Sequence, residues 1–361
     1  MHAIGTFESE DGKVKLLVIH RRRELYERFC EFCEKSEHPY FRDLIVDYAQ
    51  DTNIRRLCDN FESYVQRMEH EGPEWTVPDE EVLEKIQDAD IVLTEWGAIS
   101  SKVIAAAKKL KMIATIRSGC ENINVEYARS RGISVSISPS RLANSVADMT
   151  VALMLSECRG LLRRNLRYNA GVWVEEKYND CSHAAMCNLK IGLVGYGGIA
   201  RAVARRLVKG FGCEVVAYET ITPRDVILSD GVTPVDYEEL CRSCDIISIH
   251  ARLVPETEKM FGKAQFDLMK PNAIFINTAR AGLVDEEALI DALQSGKIRG
   301  AGLDVYSVEP LPLDSPLLQM DNVTLMPHSA GITNDIIQNS LKIITVEIER
   351  FLTGEKLAFL V

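Results

Sequence analysis

The stretch IGLVGYGGIA, residues 191–200, decides the fold of the second half of the chain. Small apolar residues typical of a buried strand lead directly into Gly195-x-Gly197-x-x-Ala200, and the helical sequence RAVARRLV follows. The first glycine permits a tight turn, the second lets the backbone approach a pyrophosphate, and the small third residue lets the helix pack closely on the strand. A structural turn is the alternative. The order strand, loop, helix favours a dinucleotide site with the phosphates at the helix amino terminus.

Glu219 indicates which dinucleotide is bound. It ends the predicted strand EVVAY and follows Gly195 by 24 residues. A carboxylate there can accept hydrogen bonds from both hydroxyls of the adenosine ribose and would repel the 2'-phosphate of NADP. NAD is therefore predicted as the cofactor. Thr220 and Arg224 follow closely, and these two residues could accommodate the 2'-phosphate of NADP.

Apolar strands alternate with helical sequence on both sides of this motif. From residue 190 the apolar segments are IGLVG, EVVAYE, DIISIH, AIFINT, GAGLDV and VTLMPH, and an earlier series runs from KLLVIH at residue 15 to KMIATIRSG at residue 111. Alternating strands and helices predict parallel sheets covered by helices on both faces. The chain is therefore predicted to be an α/β protein with doubly wound, Rossmann-like sheets.

The length of 361 residues exceeds one ordinary hydrophobic core, so two domains are expected. Residues 145–158 (SVADMTVALMLSEC) form a strongly apolar helical segment that could connect them. Residues 336–352 place apolar side chains at helical spacing, which predicts a final helix covering a core. Residues 21–71 are charge-rich with a weak, mainly helical pattern.

The net charge of −11 disfavours nucleic acid and anionic membranes as partners, because both recruit a surplus of Lys and Arg. The amino terminus carries scattered charges and has no uninterrupted apolar run, so neither a signal peptide nor a spanning helix is predicted. A cytoplasmic protein is the expected outcome.

The ten cysteines are predicted to be reduced thiols, since disulfide frameworks belong to small secreted domains. Metal binding or redox chemistry is the alternative. The candidates for such a role are two Cys-x-x-Cys pairs and one Cys/His group. Because neither pair has a partner pair nearby, no metal site is predicted. These residues are Cys30 with Cys33, Cys241 with Cys244, and Cys181 with His183 and Cys187.

Three further segments follow strands in order: INTARAGLVDEEAL (276–289), AGLDVYSVEP (301–310) and LMPHSAGIT (325–333). Together with the glycine loop they resemble the D-2-hydroxyacid dehydrogenase family from about residue 78 to residue 352. The resemblance implies a substrate domain of residues 1–144 with 332–361, an NAD-binding Rossmann domain of residues 145–331, and an active site in the cleft between them. It also implies a homodimer, with residues 145–158 as a plausible interface.

The resemblance implies hydride transfer between the nicotinamide and a small D-2-hydroxy or 2-oxo acid. Arg280 would hold the substrate's carboxylate and carbonyl oxygen, since a planar guanidinium matches a carboxylate bidentately. Hydride transfer leaves an alkoxide unless a proton arrives at the same oxygen, and His328 would supply it. Glu309 would pair with that imidazole and fix its ring.

The remaining site residues are also implied by the resemblance. Asp304 would bind the nicotinamide carboxamide. The substrate carboxylate would meet Arg117, Ser118 and Gly119 in RSGCENIN (117–124), where the alternative is an ordinary turn capped by Asn122. The other cofactor contacts would be Gly195, Gly197, Gly198, Ile199, Glu219, His250 and Thr278.

Gly198 stands where many family members carry Arg, and Arg252 adds a cation where a small residue is common. Arg117 and Arg252 favour a phosphorylated or otherwise doubly anionic substrate. The resemblance implies a substrate of the 3-phosphoglycerate or of the hydroxypyruvate/glycerate type. The alternative function is an NAD(H)-sensing, non-catalytic binding protein of the corepressor type, which composition cannot separate from an enzyme.

Overall fold

The computed structural model describes residues 13–173 and 184–361, apart from the side chain of Glu62. Within these ranges the chain folds into two compact units. The first unit comprises the residues up to Arg141 together with Asn334–Val361, and the second is Leu142–Thr333. The boundaries predicted from the sequence, after residues 144 and 331, differ from these by only a few residues. The second unit is thus an insertion in the sequence of the first.

Every named strand lies parallel to its neighbours, which requires connections long enough to cross over the sheet. The strands are β1 Lys15–His20, β2 Ile45–Gln50, β3 Ile91–Thr94, β4 Met112–Thr115, β5 Ser134–Ser136, β6 Lys190–Val194, β7 Glu214–Tyr218, β8 Thr233–Pro234, β9 Ile246–Ile249, β10 Ile274–Asn277, β11 Gly300–Leu303 and β12 Val323–Leu325.

Helices supply most of the connections and cover the sheets. They are α1 Glu24–Lys35, α2 Pro39–Arg42, α3 Asn53–Leu57, α4 Phe61–Glu71, α5 Glu80–Lys85, α6 Ser101–Ala106, α7 Val125–Ser130, α8 Ala143–Arg159, α9 Leu161–Asn169, α10 Gly198–Arg206, α11 Arg224–Ser229, α12 Tyr237–Ser243, α13 Lys263–Leu268, α14 Glu286–Gln294 and α15 Ile336–Thr353. The predicted apolar helix at 145–158 and the predicted final helix at 336–352 are therefore confirmed as α8 and α15.

The sheet of the first unit has the order β2-β1-β3-β4-β5. The winding of the chain reverses between β1 and β3: β2 is added on one side of β1, and β3, β4 and β5 follow on the other. Successive side chains of β1 point to opposite faces, so Leu16 and Val18 join a core with α1 and α15, whereas Leu17 and Ile19 join a core on the other face.

The sheet of the second unit has the order β12-β11-β10-β9-β6-β7-β8, the order of a dinucleotide-binding fold extended by one strand. The point of reversal lies between β6 and β9. Ala200 is fully buried where α10 packs on this sheet, as expected for the small third residue of the glycine loop. The predicted class, two parallel-sheet α/β units, is confirmed.

The prediction of mainly helical structure for residues 21–71 is wrong at β2, which lies in the middle of that stretch. This strand pairs along its full length with β1, and among the described residues it has no neighbour on its other side. As an edge strand it needs no continuous apolar run, and Asp47 interrupts its apolar pattern. Helical flanks on both sides therefore concealed it.

The thiols of the two Cys-x-x-Cys pairs lie in buried or partly buried positions, which raise their pKa values. Burial raises the pKa of Cys241 to about 12 and that of Cys244 to about 11, and it does the same for Cys33, again to about 12. A thiol needs a lowered pKa to act as a nucleophile or a ready metal ligand. Cys181 and His183 lie outside the described residues. Across the described ranges, no helix combines the length and apolarity that crossing a membrane would require.

Candidate active site

The glycine loop leaves β6 and enters α10. Gly195 has a φ of +89°, and a Cβ there would lie 2.6 Å from the backbone nitrogen of Ala251, so only glycine fits. At Gly197, by contrast, an added Cβ would have no atom of the described chain within 4 Å, leaving aside the residues next to it in the sequence. The space in front of Gly197 is open, and α10 begins at Gly198 with Ile199 in its first turn. The helix amino terminus thus presents free amides to a phosphate group.

Glu219 lies at the end of β7, beside this loop. Its Oε1 accepts hydrogen bonds from the amides of Thr220 and Ile221, both at 2.7 Å, and its Oε2 accepts one from the amide of Tyr196 at 2.5 Å. Burial alone would raise the pKa of Glu219, but these backbone hydrogen bonds outweigh it and lower the pKa. The carboxylate is therefore ionised and held in place, as an acceptor for ribose hydroxyls must be.

His328 and Glu309 form a hydrogen-bonded pair. Nδ1 of His328 lies 2.7 Å from Oε2 of Glu309, and Oε1 of Glu309 accepts the amide of Tyr306 at 2.9 Å. The carboxylate is thereby anchored on one side and orients the ring on the other. The His328 side chain is 45% exposed, so its other ring nitrogen can reach a ligand. Its backbone has a φ of +49°, an uncommon conformation for a residue other than glycine.

Asp304 holds the loop that carries His328. Its two carboxylate oxygens accept the amides of Ser329 and Ala330, at 2.8 and 2.9 Å. Burial raises the pKa of Asp304, while these two hydrogen bonds oppose the rise. A carboxylate oxygen can accept more than one hydrogen bond, so the predicted contact with a nicotinamide carboxamide is compatible with this arrangement. The loop-holding contact is a role that sequence reasoning missed.

The structure describes one other histidine in the second unit, His250, and it is unsuited to proton transfer. Burial lowers its pKa to about 4, and its Nε2 lies 2.9 Å from the hydroxyl of Ser248. It is therefore neutral near pH 7. The backbone at His250 lies directly against Gly195, and the role of His250 as a cofactor contact stays a prediction.

Arg280 follows β10 in a tightly bonded turn. The side chain of Asn277 donates to the carbonyl of Arg280 at 3.1 Å and accepts the amide of Ala279 at 3.0 Å. Thr278 is buried, with its hydroxyl 2.8 Å from that of Thr150. The Arg280 side chain itself is exposed and donates one hydrogen bond, to the carbonyl of Ala279. Among the described residues no other hydrogen-bond partner of this side chain is found, and its exposure is compatible with the predicted substrate contact.

We expect Glu309→Gln to lower kcat about tenfold to a hundredfold while KM changes little. The amide keeps the shape but not the charge, and a hydrogen bond to a charged group contributes about 1.5–3 kcal/mol. Steady-state kinetics with NADH and a 2-oxo acid measures the change. Glu287→Gln, in the first turn of α14, serves as the control. A kcat equal to that of the unmodified protein would show that Glu309 does not orient the imidazole.

In the first unit, the predicted substrate loop follows β4, and the structure gives its arginine other partners. Arg117 is 6% exposed, donates to Asn122 at 3.0 Å and pairs with Glu121 at 3.0 Å. The Ser118 hydroxyl donates to the carbonyl of Ser138. A Cβ at Gly119 would meet the Glu121 carboxylate at 2.4 Å, so a substrate carboxylate there requires Glu121 to move. The structure therefore does not support Arg117 as a cation available to a substrate phosphate.

Sequence reasoning also missed a buried ionic group at the carboxyl ends of β1 and β3. Glu95 lies 3.1 Å from Nε2 of His20 and accepts a hydrogen bond from Nη1 of Arg141 at 3.2 Å. Burial alone would raise the pKa of Glu95, but the hydrogen bond from His20 and the charge of Arg141 outweigh it and lower the pKa to about 2. Glu95 is therefore ionised at every pH at which the protein would work.

This lowered pKa predicts an acid-sensitive contribution to stability. A carboxylate with a depressed pKa in the folded state stabilises above its unfolded pKa, and this contribution is lost as pH falls through the folded pKa. For Glu95 the window runs from about 4.5 down to about 2. We expect Glu95→Gln to flatten the pH dependence of the free energy of unfolding in this window by on the order of 3 kcal/mol.

Urea titrations at several pH values measure the free energy of unfolding, and Glu126→Gln on the exposed surface of α7 is the control. Parallel curves for Glu95→Gln and the unmodified chain would contradict the assignment.

Comparisons with known proteins agree with this geometry. The sequence model of the family described as "D-isomer specific 2-hydroxyacid dehydrogenase, NAD binding domain" matches residues 151–330. The chain is 39% identical over 278 residues to D-3-phosphoglycerate dehydrogenase of Methanocaldococcus jannaschii, an alignment that covers 76% of this chain and 52% of the relative. It is 35% identical over 281 residues to glyoxylate reductase of Korarchaeum cryptofilum, covering 76% and 83%. The chain thus spans about half the length of the first relative and most of the second.

Among solved structures, D-lactate dehydrogenase with NAD⁺ from Lactobacillus jensenii is similar, with a TM-score of 0.75 and 25% identity over 96% of this chain and 99% of that one. The NAD-binding family and its NAD complexes confirm the predicted cofactor. The relatives are named as dehydrogenases and reductases, which favours an enzyme over a corepressor-type binding protein. The chain belongs to the D-isomer specific 2-hydroxyacid dehydrogenases, a family of NAD-dependent oxidoreductases.

Proposed function

We propose that this protein interconverts a small D-2-hydroxy acid and its 2-oxo acid, with His328 as the proton-transfer group. The observation that carries the proposal is the 2.7 Å pair of His328 and Glu309 in the unit that also bears the glycine loop. In the reducing direction NADH supplies the hydride when bound, and His328 donates its proton to the substrate oxygen. Glu309 orients the ring and balances its charge.

Arg280 is proposed to bind the carboxylate and the 2-oxo group of the substrate. Its exposed guanidinium stands on a turn fixed by Asn277. The amides of Ser118 and Gly119 are proposed to bind the substrate carboxylate once the Glu121 side chain has moved aside. Asp304 is proposed to accept a hydrogen bond from the carboxamide of the nicotinamide.

A panel of 2-oxo acids assayed with NADH tests the proposal. It contains glyoxylate, hydroxypyruvate, pyruvate and 3-phosphohydroxypyruvate, and NADH oxidation is followed by absorbance. We expect turnover with at least one acid, and turnover lower by a factor of about 100 to 10,000 with His328→Asn. NADH binding without turnover across the whole panel would instead favour the NAD(H)-sensing, non-catalytic alternative.

The proposal includes a cytoplasmic homodimer. The apolar side chains of α8 are largely buried in its own unit, so this helix offers little apolar surface for the interface predicted at residues 145–158. The adjoining α9 exposes Leu161 and Leu166, and Trp173 beyond it is 77% exposed. A second copy covering this face is proposed instead. Sedimentation of the unmodified chain and of Leu166→Glu tests it, and equal masses at the monomer value would contradict it.

A further inference from the structure

The segment that follows β9 lies against the glycine loop inside the second unit. A Cβ added to Gly195 would be 2.6 Å from the backbone nitrogen of Ala251 and 2.7 Å from its Cα. Consecutive Cα atoms are about 3.8 Å apart, so the Cα of Arg252 lies within about 7 Å of the same point. An extended arginine side chain spans that distance. Arg252 is therefore within reach of a pyrophosphate bound at the glycine loop.

Local contacts fix the backbone that carries Arg252. The hydroxyl of Thr257 donates to the carbonyl of Arg252 at 2.7 Å and accepts the amide of Val254 at 2.9 Å. The side chain of Leu253 packs on the turn after β10, where a Cβ added to Gly282 would be 3.0 Å from it. The Cα of Arg252 is therefore held in place beside the glycine loop.

The guanidinium of Arg252 is exposed, and within the described ranges it has neither a hydrogen bond nor an ion pair. The arginines of α10 differ in this respect. Arg201 donates twice to Asp230, at 2.8 and 3.3 Å, and Arg205 donates to the side chain of Asn144 at 3.1 Å. A guanidinium has five N–H donors, and in Arg252 they are available to an anion.

The glycine loop by itself offers a pyrophosphate only a partial positive charge. No residue from 195 to 200 carries a formal charge, and the amino end of α10 contributes the equivalent of about half a positive charge. The ionised carboxylate of Glu219 lies beside the loop, and the whole chain has a net charge of −11. A pyrophosphate brings one further negative charge on each phosphate. The site therefore favours the anion only if a full positive charge is added.

The other basic side chain of this segment cannot supply that charge. His250 precedes Ala251, but burial lowers its pKa to about 4, so the imidazole is neutral near pH 7. Between residues 250 and 258 the sequence contains no lysine and no arginine except Arg252. Arg252 is thus the cation that this segment brings to the glycine loop.

We propose that Arg252 binds the pyrophosphate of the dinucleotide and supplies the full positive charge that the glycine loop lacks. Phosphate oxygens accept paired hydrogen bonds from a planar guanidinium, which suits arginine to this task. The inference assigns to the cofactor an arginine that the sequence alone assigned to the substrate. It concerns binding of the dinucleotide and is therefore independent of the acid on which the enzyme acts.

Binding of NADH and of ADP-ribose, each without substrate, tests the inference. We expect Arg252→Gln to weaken both about tenfold, the loss that one hydrogen bond to a charged group explains. Arg252→Lys should recover part of this loss, because an ammonium keeps the charge but not the paired donors. Fluorescence titration measures NADH, and isothermal titration calorimetry measures ADP-ribose. Arg224→Gln, exposed at the start of α11, is the matched control and should change either affinity less than about twofold.

Melting temperatures separate binding from folding. Without ligand, Arg252→Gln should melt at the temperature of the unmodified chain, because the substitution breaks no side-chain hydrogen bond within the described ranges. With NADH, its melting temperature should rise less than that of the unmodified chain or of Arg224→Gln.

Three results would overturn the inference. Unchanged affinity of Arg252→Gln for NADH, with weaker binding of NADPH, would assign Arg252 to a 2'-phosphate. Unchanged affinity for NADH, with a higher KM for 3-phosphohydroxypyruvate, would assign it to the substrate. An equal loss of affinity in Arg252→Gln and Arg224→Gln would show that only the overall charge matters. None of these results bears on His328, so the proposed function is tested separately.

Discussion

Replacing His328 with asparagine is expected to lower kcat by a factor of about 100 to 10,000, the usual contribution of a positioned acid or base. The affinity for NADH should stay near that of the unmodified protein, because the glycine loop and Glu219 are untouched. Asparagine is preferred to alanine because the φ of +49° at this position suits it, so the variant adds little backbone strain. Both His328→Asn and His328→Ala should lose turnover.

The measurement pairs steady-state kinetics with a fluorescence titration of NADH. His70→Asn is the matched control, since His70 is exposed on α4 and its side chain forms a hydrogen bond with a carbonyl of its own helix. Turnover of His328→Asn within about threefold of the unmodified protein would remove His328 from the mechanism.

Arg280→Gln is the second change with a large expected effect. Removing one partner of a desolvated charge pair costs about 2–5 kcal/mol, which corresponds to a loss in kcat/KM of roughly thirtyfold to several thousandfold. Arg280→Lys should recover only part of this loss, because an ammonium keeps the charge but not the planar pair of donors. NADH affinity should not change in either variant.

The kinetics are measured with the preferred 2-oxo acid from the panel, and Arg242→Gln on the exposed face of α12 is the control. If Arg280→Lys matched the unmodified protein in kcat/KM, bidentate binding by Arg280 would be excluded. If Arg280→Gln did so, Arg280 would have no role in substrate binding.

The fold of the second unit was largely predictable, because the residues that indicate it lie close together in the sequence. Gly195, Gly197 and Ala200 stand in one loop between a strand and a helix, and their requirements follow from backbone geometry alone. The roles of Arg280, Glu309 and His328 were predictable only through the family resemblance, which the order of their three segments after the glycine loop carries. The pairing distance of His328 and Glu309 required the structure.

The first unit was less predictable because its site depends on contacts between distant residues. His20 and Glu95 are 75 positions apart, and Arg141 joins them from beyond β5. No spacing rule links three such positions. Arg117 shows the converse. The sequence predicted a cation available to the substrate, but in the structure its guanidinium donates to Asn122 and pairs with Glu121.

The insertion of one unit into the other has a consequence for synthesis on the ribosome. The second unit is continuous, so it can complete its core as soon as residue 333 has emerged. The first sheet cannot, because Ile344 and Ile348 of α15 belong to the same core as Leu16 and Phe29. One face of that sheet therefore remains apolar and uncovered until α15 has also been translated. A chaperone that protects nascent chains would find its target there.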